Sequence, residues 1–199
     1  MSLFPSPEVT ECLPAVSSTV REGAEVLQAL NGDWPGMERQ IQALQECAAR
    51  HKASLFNELC HTLITPLDPE DLFQLSGRMI STLDEIAASS ELFLLWFPVH
   101  PPSSLVKLCA LLTEACSGFD ETLHAFLRKK LHPEQFRQFP RIRARANRIV
   151  NTALAELFDT ESDTTVLLRN RELYKHPHAA IARCCEAATA LRSIALKNG

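Results

Sequence analysis

Hydrophobic residues recur at steps of three and four along most of the chain, which is the period of helices that bury one face. The clearest example, from Ile41 to Ala87, has two such stripes separated by one turn. Pro66 ends the first helix because the residue before a proline avoids the α region, whereas Asp68 and Pro69 suit the start of the next. This helical hairpin has its predicted stripes at Ile41, Leu44, Ala48, Leu55 and Leu59, then at Leu72, Leu75, Met79, Leu83 and Ile86.

The same periodicity predicts six helices in all, and no segment alternates long enough to form a strand. Residues 1–14 hold three prolines and are expected to form an irregular lead whose last turn can be helical. Pro177 is expected to kink or split the last helix. The second, third and fourth helices are predicted from about Met37 to Ile64, from Pro69 to about Glu91, and from Ser103 or Ser104 to about Lys130. The apolar stripes of the first, fifth and sixth helices are predicted from Val16 to Leu30, from Ile142 to Leu157, and from Leu168 to Ile194, and the sixth helix takes the rest of the chain.

A cluster of prolines and serines over residues 97–104 divides the chain near its middle. Three predicted helices precede it and three follow, joined by short linkers. We therefore predict an all-α fold of six long helices in antiparallel up-and-down bundle packing, built as two three-helix units. Residues 1–199 are expected to form one domain with halves at 8–96 and 103–199.

The composition, charge and apolar runs of the chain argue against several classes of protein. The chain is 46% hydrophobic and 22% charged, which is typical of a globular protein. A formal net charge of -4 argues against a general nucleic-acid binder, which needs a basic excess for phosphate contacts. The longest apolar run, residues 92–99, is too short for a membrane span, and the N-terminus lacks the order of a signal peptide. We expect a cytoplasmic protein.

Seven cysteines, an odd number without a Cys-x-x-Cys pair, argue against a disulfide framework or a zinc knuckle. Most are expected to be small buried hydrophobic residues. No glycine-rich phosphate loop and no catalytic triad context occurs, so the sequence does not predict an enzyme. His51 falls on the stripe of the second helix and is expected to be a neutral histidine in or beside the core.

The turn of the hairpin carries a family resemblance. Residues 63–71, Leu-Ile-Thr-Pro-Leu-Asp-Pro-Glu-Asp, resemble the Phe-Ile-Thr-Pro-x-Asp-Arg-Glu-Asp signature of the PhoU-like phosphate transport regulators, also called Pit accessory proteins. Pro69 replaces the usual arginine of that family. The resemblance extends through residues 55–56, 83–86, 157–158 and 194–197. It implies a PhoU-like helical fold and a cytoplasmic, non-enzymatic role beside an inorganic phosphate transporter or its regulatory proteins.

The resemblance also implies carboxylate pairs at i and i+4 that gather around a metal ion. This chain departs from that pattern on four helices. The corresponding positions hold Gln45 and Ala49, then Ile80 or Ser81 with Asp84, then Arg143 and Asn147, then His178 and Ala182. A single carboxylate remains, and an arginine repels a cation. We therefore expect no cofactor and no metal in a chain that has kept the fold.

Two Glu-x-x-His spacings support an alternative, a metal-binding bundle with an iron or zinc site or a di-iron oxidase centre. They are Glu58 with His61, and Glu121 with His124. Chance gives about half such a pair in a chain of this composition, so exposed side chains without a metal are the simpler interpretation. A third hypothesis is a helical scaffold whose family role has drifted.

One surface is predicted to bind a partner. Four arginines at helical steps along the fifth helix form a basic face, which we call the arginine face: Arg137, Arg141, Arg145 and Arg148. A solvated helix surface is the simple explanation. A docking surface for an acidic segment of a transporter or regulator, or for anionic headgroups at a membrane, is the functional one. A second copy of the chain is a further candidate partner.

Overall fold

The computed structural model describes residues 7–30, 32–61, 67–96, 101–161 and 163–198. Within these ranges it contains six α-helices and one 3-10 turn, with no strand. The helices are α1 (Pro7–Ala29), α2 (Trp34–His61), α3 (Pro69–Trp96), α4 (Ser103–Leu127), α5 (Gln138–Thr160) and α6 (Thr164–Lys197), and the 3-10 turn is Pro133–Arg137. The all-α, six-helix prediction is confirmed.

Aspartates start several of these helices by accepting hydrogen bonds from orphan backbone N–H groups. Asp33 accepts from the Gly36 amide at 3.0 Å, at the start of α2. Asp68 accepts from the Glu70 amide at 3.0 Å, as predicted for the cap of α3. Asp163 accepts from the Thr165 amide at 2.7 Å, so α6 begins before the predicted apolar stripe does.

Several predicted boundaries were wrong. Residues 7–14 belong to α1 instead of an irregular lead, because Leu13 and Val16 are fully buried and their packing outweighs the proline at position 14. Helix α3 runs past Glu91 to Trp96, since Phe93 is buried edge-on against Trp34 at 5.8 Å. Helix α4 ends before Lys130, where Lys129 has a positive φ of 58°.

Helix α6 corrects the expectation for Leu168 and part of that for Pro177. It continues through Pro177, which is buried, so the alternative of a split helix was wrong. Leu168, in the first turns of α6, is 50% exposed and does not belong to the core. The predicted end of the second helix at Ile64, and Pro66 that was expected to cause it, lie outside the described residues.

The two halves have the same scheme of contacts. Helix α1 packs on α2 and α3, α2 packs on α3, and the same three pairings join α4, α5 and α6. The halves meet where α1 contacts α4 and α3 contacts α6, and these are the corresponding helices of each half. The two halves therefore have the same internal contacts and meet through corresponding helices.

The helices form two layers. One layer has the order α2, α1, α4, α5, and α3 and α6 lie side by side beneath it. Buried hydrophobic residues from all six helices form one continuous cluster between the layers.

Candidate functional site

Polar side chains pair across helices at the positions where the family resemblance implies carboxylates. In the first half, the Gln45 amide on α2 donates to Asp84 Oδ1 on α3 at 3.0 Å. In the second half, His178 Nε2 on α6 lies 2.7 Å from Asn147 Oδ1 on α5. Both hydrogen bonds connect the second and third helices of a half, so each substituted site has become a structural contact.

The second of these sites is electropositive. Burial lowers the pKa of His178, and the charge of Arg143 lowers it further. A neutral imidazole whose Nε2–H donates to Asn147 satisfies both residues. A cation placed here would face Arg143 and an amide in place of two carboxylates.

These residues do not fit the metal that the family resemblance implies. Within the described ranges, no three His, Cys, Asp or Glu side chains come together in a way that could hold a metal ion. The one remaining carboxylate of the pattern, Asp84, accepts a hydrogen bond from Gln45. The carboxylates that would bind a metal ion have thus been replaced by side chains that hydrogen-bond to one another.

The two Glu-x-x-His pairs lie on helices that are not neighbours. Glu58 and His61 belong to α2, whereas Glu121 and His124 belong to α4, and among the described residues α2 contacts only α1 and α3. His124 Nδ1 lies 2.9 Å from the Asp120 carbonyl oxygen. The structure does not bring the pairs together into the four-helix arrangement that a di-iron centre needs.

His51 lies beside the core, in the position expected from the stripe. Its side chain is partly buried, and its Nε2 lies 3.4 Å from Cys47 Sγ on the same helix.

The arginine face lies on the outer surface of α5 and the turn before it. Arg137, Arg141, Arg145 and Arg148 are all exposed. Arg145 donates to both carboxylate oxygens of Glu114 on α4, at 2.7 and 2.9 Å, and Arg137 pairs with Glu134 at 2.7 Å. For Arg141 and Arg148, no ion pair occurs with any described residue, so these two carry the unneutralised charge of the face.

Sequence reasoning missed the extent of this basic region. Residues 128–148 contain eight lysines and arginines and a single carboxylate, Glu134. The rest of the chain holds the other 12 basic residues, since 20 - 8 = 12, and the other 23 acidic ones, since 24 - 1 = 23. Positive charge is thus concentrated in one segment of an otherwise strongly acidic protein. A count in short windows along the sequence would have found it.

The cysteines form no disulfide. Four of them, Cys109, Cys116, Cys184 and Cys185, are buried on α4 and α6. Burial raises the pKa of Cys109 to about 12. A hydrogen bond with Cys116 and burial raise the pKa of Cys184, and burial raises that of Cys185 to about 11. The thiols of Cys109, Cys184 and Cys185 therefore stay protonated near neutral pH. All four cysteines belong to the packed interior, as predicted.

Comparison with known proteins gives a likeness of structure and none of sequence. No protein-family model matches the sequence, and no curated protein matches it. The structure, however, superposes on the crystal structure of a PhoU-like protein from Shewanella oneidensis MR-1 with a TM-score of 0.81. The fold is PhoU-like. The match covers 94% of this chain and 99% of the other at 11% identity, so it extends to the whole PhoU-like bundle and speaks for the fold alone.

The turn that carries the sequence resemblance is partly described in this PhoU-like fold. Residues 63–66 of the signature lie outside the described residues. In the remainder, Leu67 is buried, Asp68 caps α3, and Asp71 binds Lys197 at 2.7 Å. The second half of the signature therefore fixes the start of α3 against the end of α6.

Each helix in the described ranges is too short or too polar to cross a lipid bilayer.

Proposed function

We propose that this protein is a non-enzymatic accessory protein that regulates inorganic phosphate transport in the cytoplasm. The observation that carries the proposal is the PhoU-like fold over 94% of the chain. The signature-like turn at residues 63–71 supports the same conclusion from the sequence. The cross-helix pairs of Gln45 with Asp84 and of His178 with Asn147 favour a role without a metal.

The protein acts through its surfaces in this proposal, and the arginine face is the partner-binding site. Arg141 and Arg148 provide two exposed guanidinium groups about 10 Å apart along α5. Guanidinium groups bind carboxylates and phosphates in a planar, two-pronged geometry. An acidic segment of a phosphate transporter, or of a protein that controls it, is the partner that fits this chemistry.

Phosphate uptake in cells lacking the gene tests the proposal. Deletion should change the uptake of radiolabelled phosphate, and the wild-type gene should restore it. The triple variant Arg141→Glu, Arg145→Glu, Arg148→Glu should neither restore uptake nor co-purify with the transporter, although its helicity is unchanged. The matched control, Arg39→Glu, Arg50→Glu, Arg171→Glu, changes net charge equally at exposed sites on α2 and α6 and should behave as wild type. Uptake that is the same with and without the gene would refute the proposal.

A further inference from the structure

Each half of the molecule has a groove between its first and second helices, close to where they join. The groove between α1 and α2 has a volume of about 610 Å³, and the groove between α4 and α5 has a volume of about 420 Å³. The contact scheme that relates α1 to α4 and α2 to α5 makes these grooves equivalent places in the two halves. They can therefore be compared directly.

The two equivalent grooves carry opposite charge. Glu22, Glu25 and Asp33 line the α1–α2 groove, whose wall has no lysine or arginine, although Arg21 beside it pairs with Glu25 at 2.6 Å. Its remaining surface is largely apolar, with Val26, Met37 and Leu44 among the lining residues. The α4–α5 groove, in contrast, is bordered by Arg137, Arg141 and Arg145 of the arginine face. Glu134 and Glu114 also line it and pair with Arg137 and Arg145, so Arg141 gives this groove its excess positive charge.

The two grooves lie on the same side of the α2, α1, α4, α5 layer because α3 covers the opposite side of the α1–α2 pair and α6 covers that of the α4–α5 pair. Arg21 Nε of α1 lies 3.4 Å from Asp120 Oδ2 of α4 at this seam. The acidic groove lies to one side of the seam and the arginine face to the other.

The acidic groove and the arginine face also lie at the same level along the bundle. The Thr113 hydroxyl on α4 donates to the Ala24 carbonyl on α1 at 3.1 Å, which places Thr113 beside the stretch between Glu22 and Glu25. The next residue, Glu114, binds Arg145. Two copies of the chain could be related by a two-fold axis that runs parallel to the helices, above the seam between α1 and α4. This arrangement would place α5 of each copy over the α1–α2 groove of the other copy.

We infer that the occupant of the acidic α1–α2 groove is the arginine face of a second copy of this chain, in a reciprocal dimer. Arg141 and Arg148 lie about 10 Å apart along α5, and the acidic residues Glu22 and Glu25 lie about one helical turn apart on α1. Each copy gives one basic and one acidic surface, so the interface is self-complementary. The dimer covers the arginine face and therefore competes with the acidic partner proposed above.

Sedimentation of the purified full-length protein tests this dimer. Wild type should form dimers at low salt and dissociate as salt is raised, because the contacts are ionic. Glu22→Arg, Glu25→Arg in one variant, and Arg141→Glu, Arg148→Glu in another, should each weaken self-association roughly tenfold or more. The control Arg39→Glu, Arg171→Glu alters two exposed arginines outside both surfaces and should dimerise as wild type does.

Mixing the two charge-reversed variants gives the decisive result. In the mixture, the acidic α5 of one variant meets the basic groove of the other, and the remaining pair of surfaces keeps its natural charges. A mixed dimer should therefore form although neither variant dimerises alone, and circular dichroism should show equal helicity for all samples. A monomeric wild type, dimers that survive either reversal, or a mixture that stays monomeric would overturn the inference. Because this measurement needs no transporter, it can fail while the proposed function stands, and phosphate uptake tests that function separately.

Discussion

His178 Nε2 lies 2.7 Å from Asn147 Oδ1, and this hydrogen bond joins α6 to α5 at a position where the family resemblance implies a carboxylate pair. Burial, followed by the charge of Arg143, lowers the pKa of His178 below its usual value. The folded protein therefore holds this histidine neutral at a pH where the unfolded chain begins to protonate it. This difference couples the stability of the second half to pH.

Replacing His178 with Gln should reduce the dependence of stability on pH. Between the lowered pKa in the folded state and the unfolded value of about 6.5, the unfolded chain binds more protons, so the free energy of unfolding falls as pH decreases. Gln does not titrate and removes this contribution. Urea denaturation from about pH 7.5 to pH 5 should therefore give a smaller loss of stability for the variant than for wild type.

Arg143→Gln provides the companion measurement. This variant keeps His178 and removes the charge of Arg143, which is the second cause of the lowered pKa of His178. The loss of stability of the variant on acidification should therefore lie between the losses of wild type and His178→Gln. Identical losses for wild type and His178→Gln would show that the histidine is not held neutral.

At Gly23, α1 lies close against α3. A Cβ atom at this position would lie 2.7 Å from Leu83 Cδ1, and Leu83 is fully buried, so its side chain has to shift within the packed core. Gly23→Ala should therefore lower the free energy of unfolding by about 1–2 kcal/mol, because overpacking outweighs the gain in helix propensity. Urea unfolding measures the change.

Gly77 on α3 is the matched control for that substitution. A Cβ atom there would meet only Lys52 Nζ, at 3.7 Å. Gly77→Ala should stabilise the protein by up to about 1 kcal/mol, since alanine favours the helix. Equal stabilisation of both alanine variants would show that α1 does not pack tightly on α3 at Gly23.

The cysteines should divide into reactive and protected groups. Cys60 is exposed near the end of α2, whereas the four thiols on α4 and α6 are buried. The pKa of Cys109, about 12, keeps that thiol protonated at pH 8. A thiol reagent applied to the native protein should modify Cys60 first, and Cys60→Ser should remove this fastest phase. Peptide mapping by mass spectrometry that found Cys184 modified as fast as Cys60 would contradict the buried α4–α6 packing.

Sequence periodicity predicted which faces are buried, as at Leu72 and Leu83, because one helix face repeats every three to four residues. It did not predict which helices would be neighbours. The Arg145–Glu114 pair joins residues 31 positions apart, and only the packing of α5 on α4 brings them together. The prediction that Leu168 is buried was wrong for the same reason, since an apolar residue on the buried stripe of a helix needs a neighbouring helix to cover it, and Leu168 is 50% exposed. Asp84 was foreseen as the surviving carboxylate, but its Gln45 partner was not.

The contact scheme has a consequence for the two halves as separate chains. Helices α1 and α3 bury apolar residues where they contact the second half, and the ion pairs Arg21–Asp120 and Glu85–His176 also cross between the halves. Helix α4 meets α1, and α6 meets α3, as corresponding helices do in a homodimer of three-helix subunits. Residues 7–96, produced alone, would therefore have a surface shaped to pair with another copy of themselves. The same fragment, mixed with residues 101–198, should instead reassemble the original bundle from two separate polypeptides.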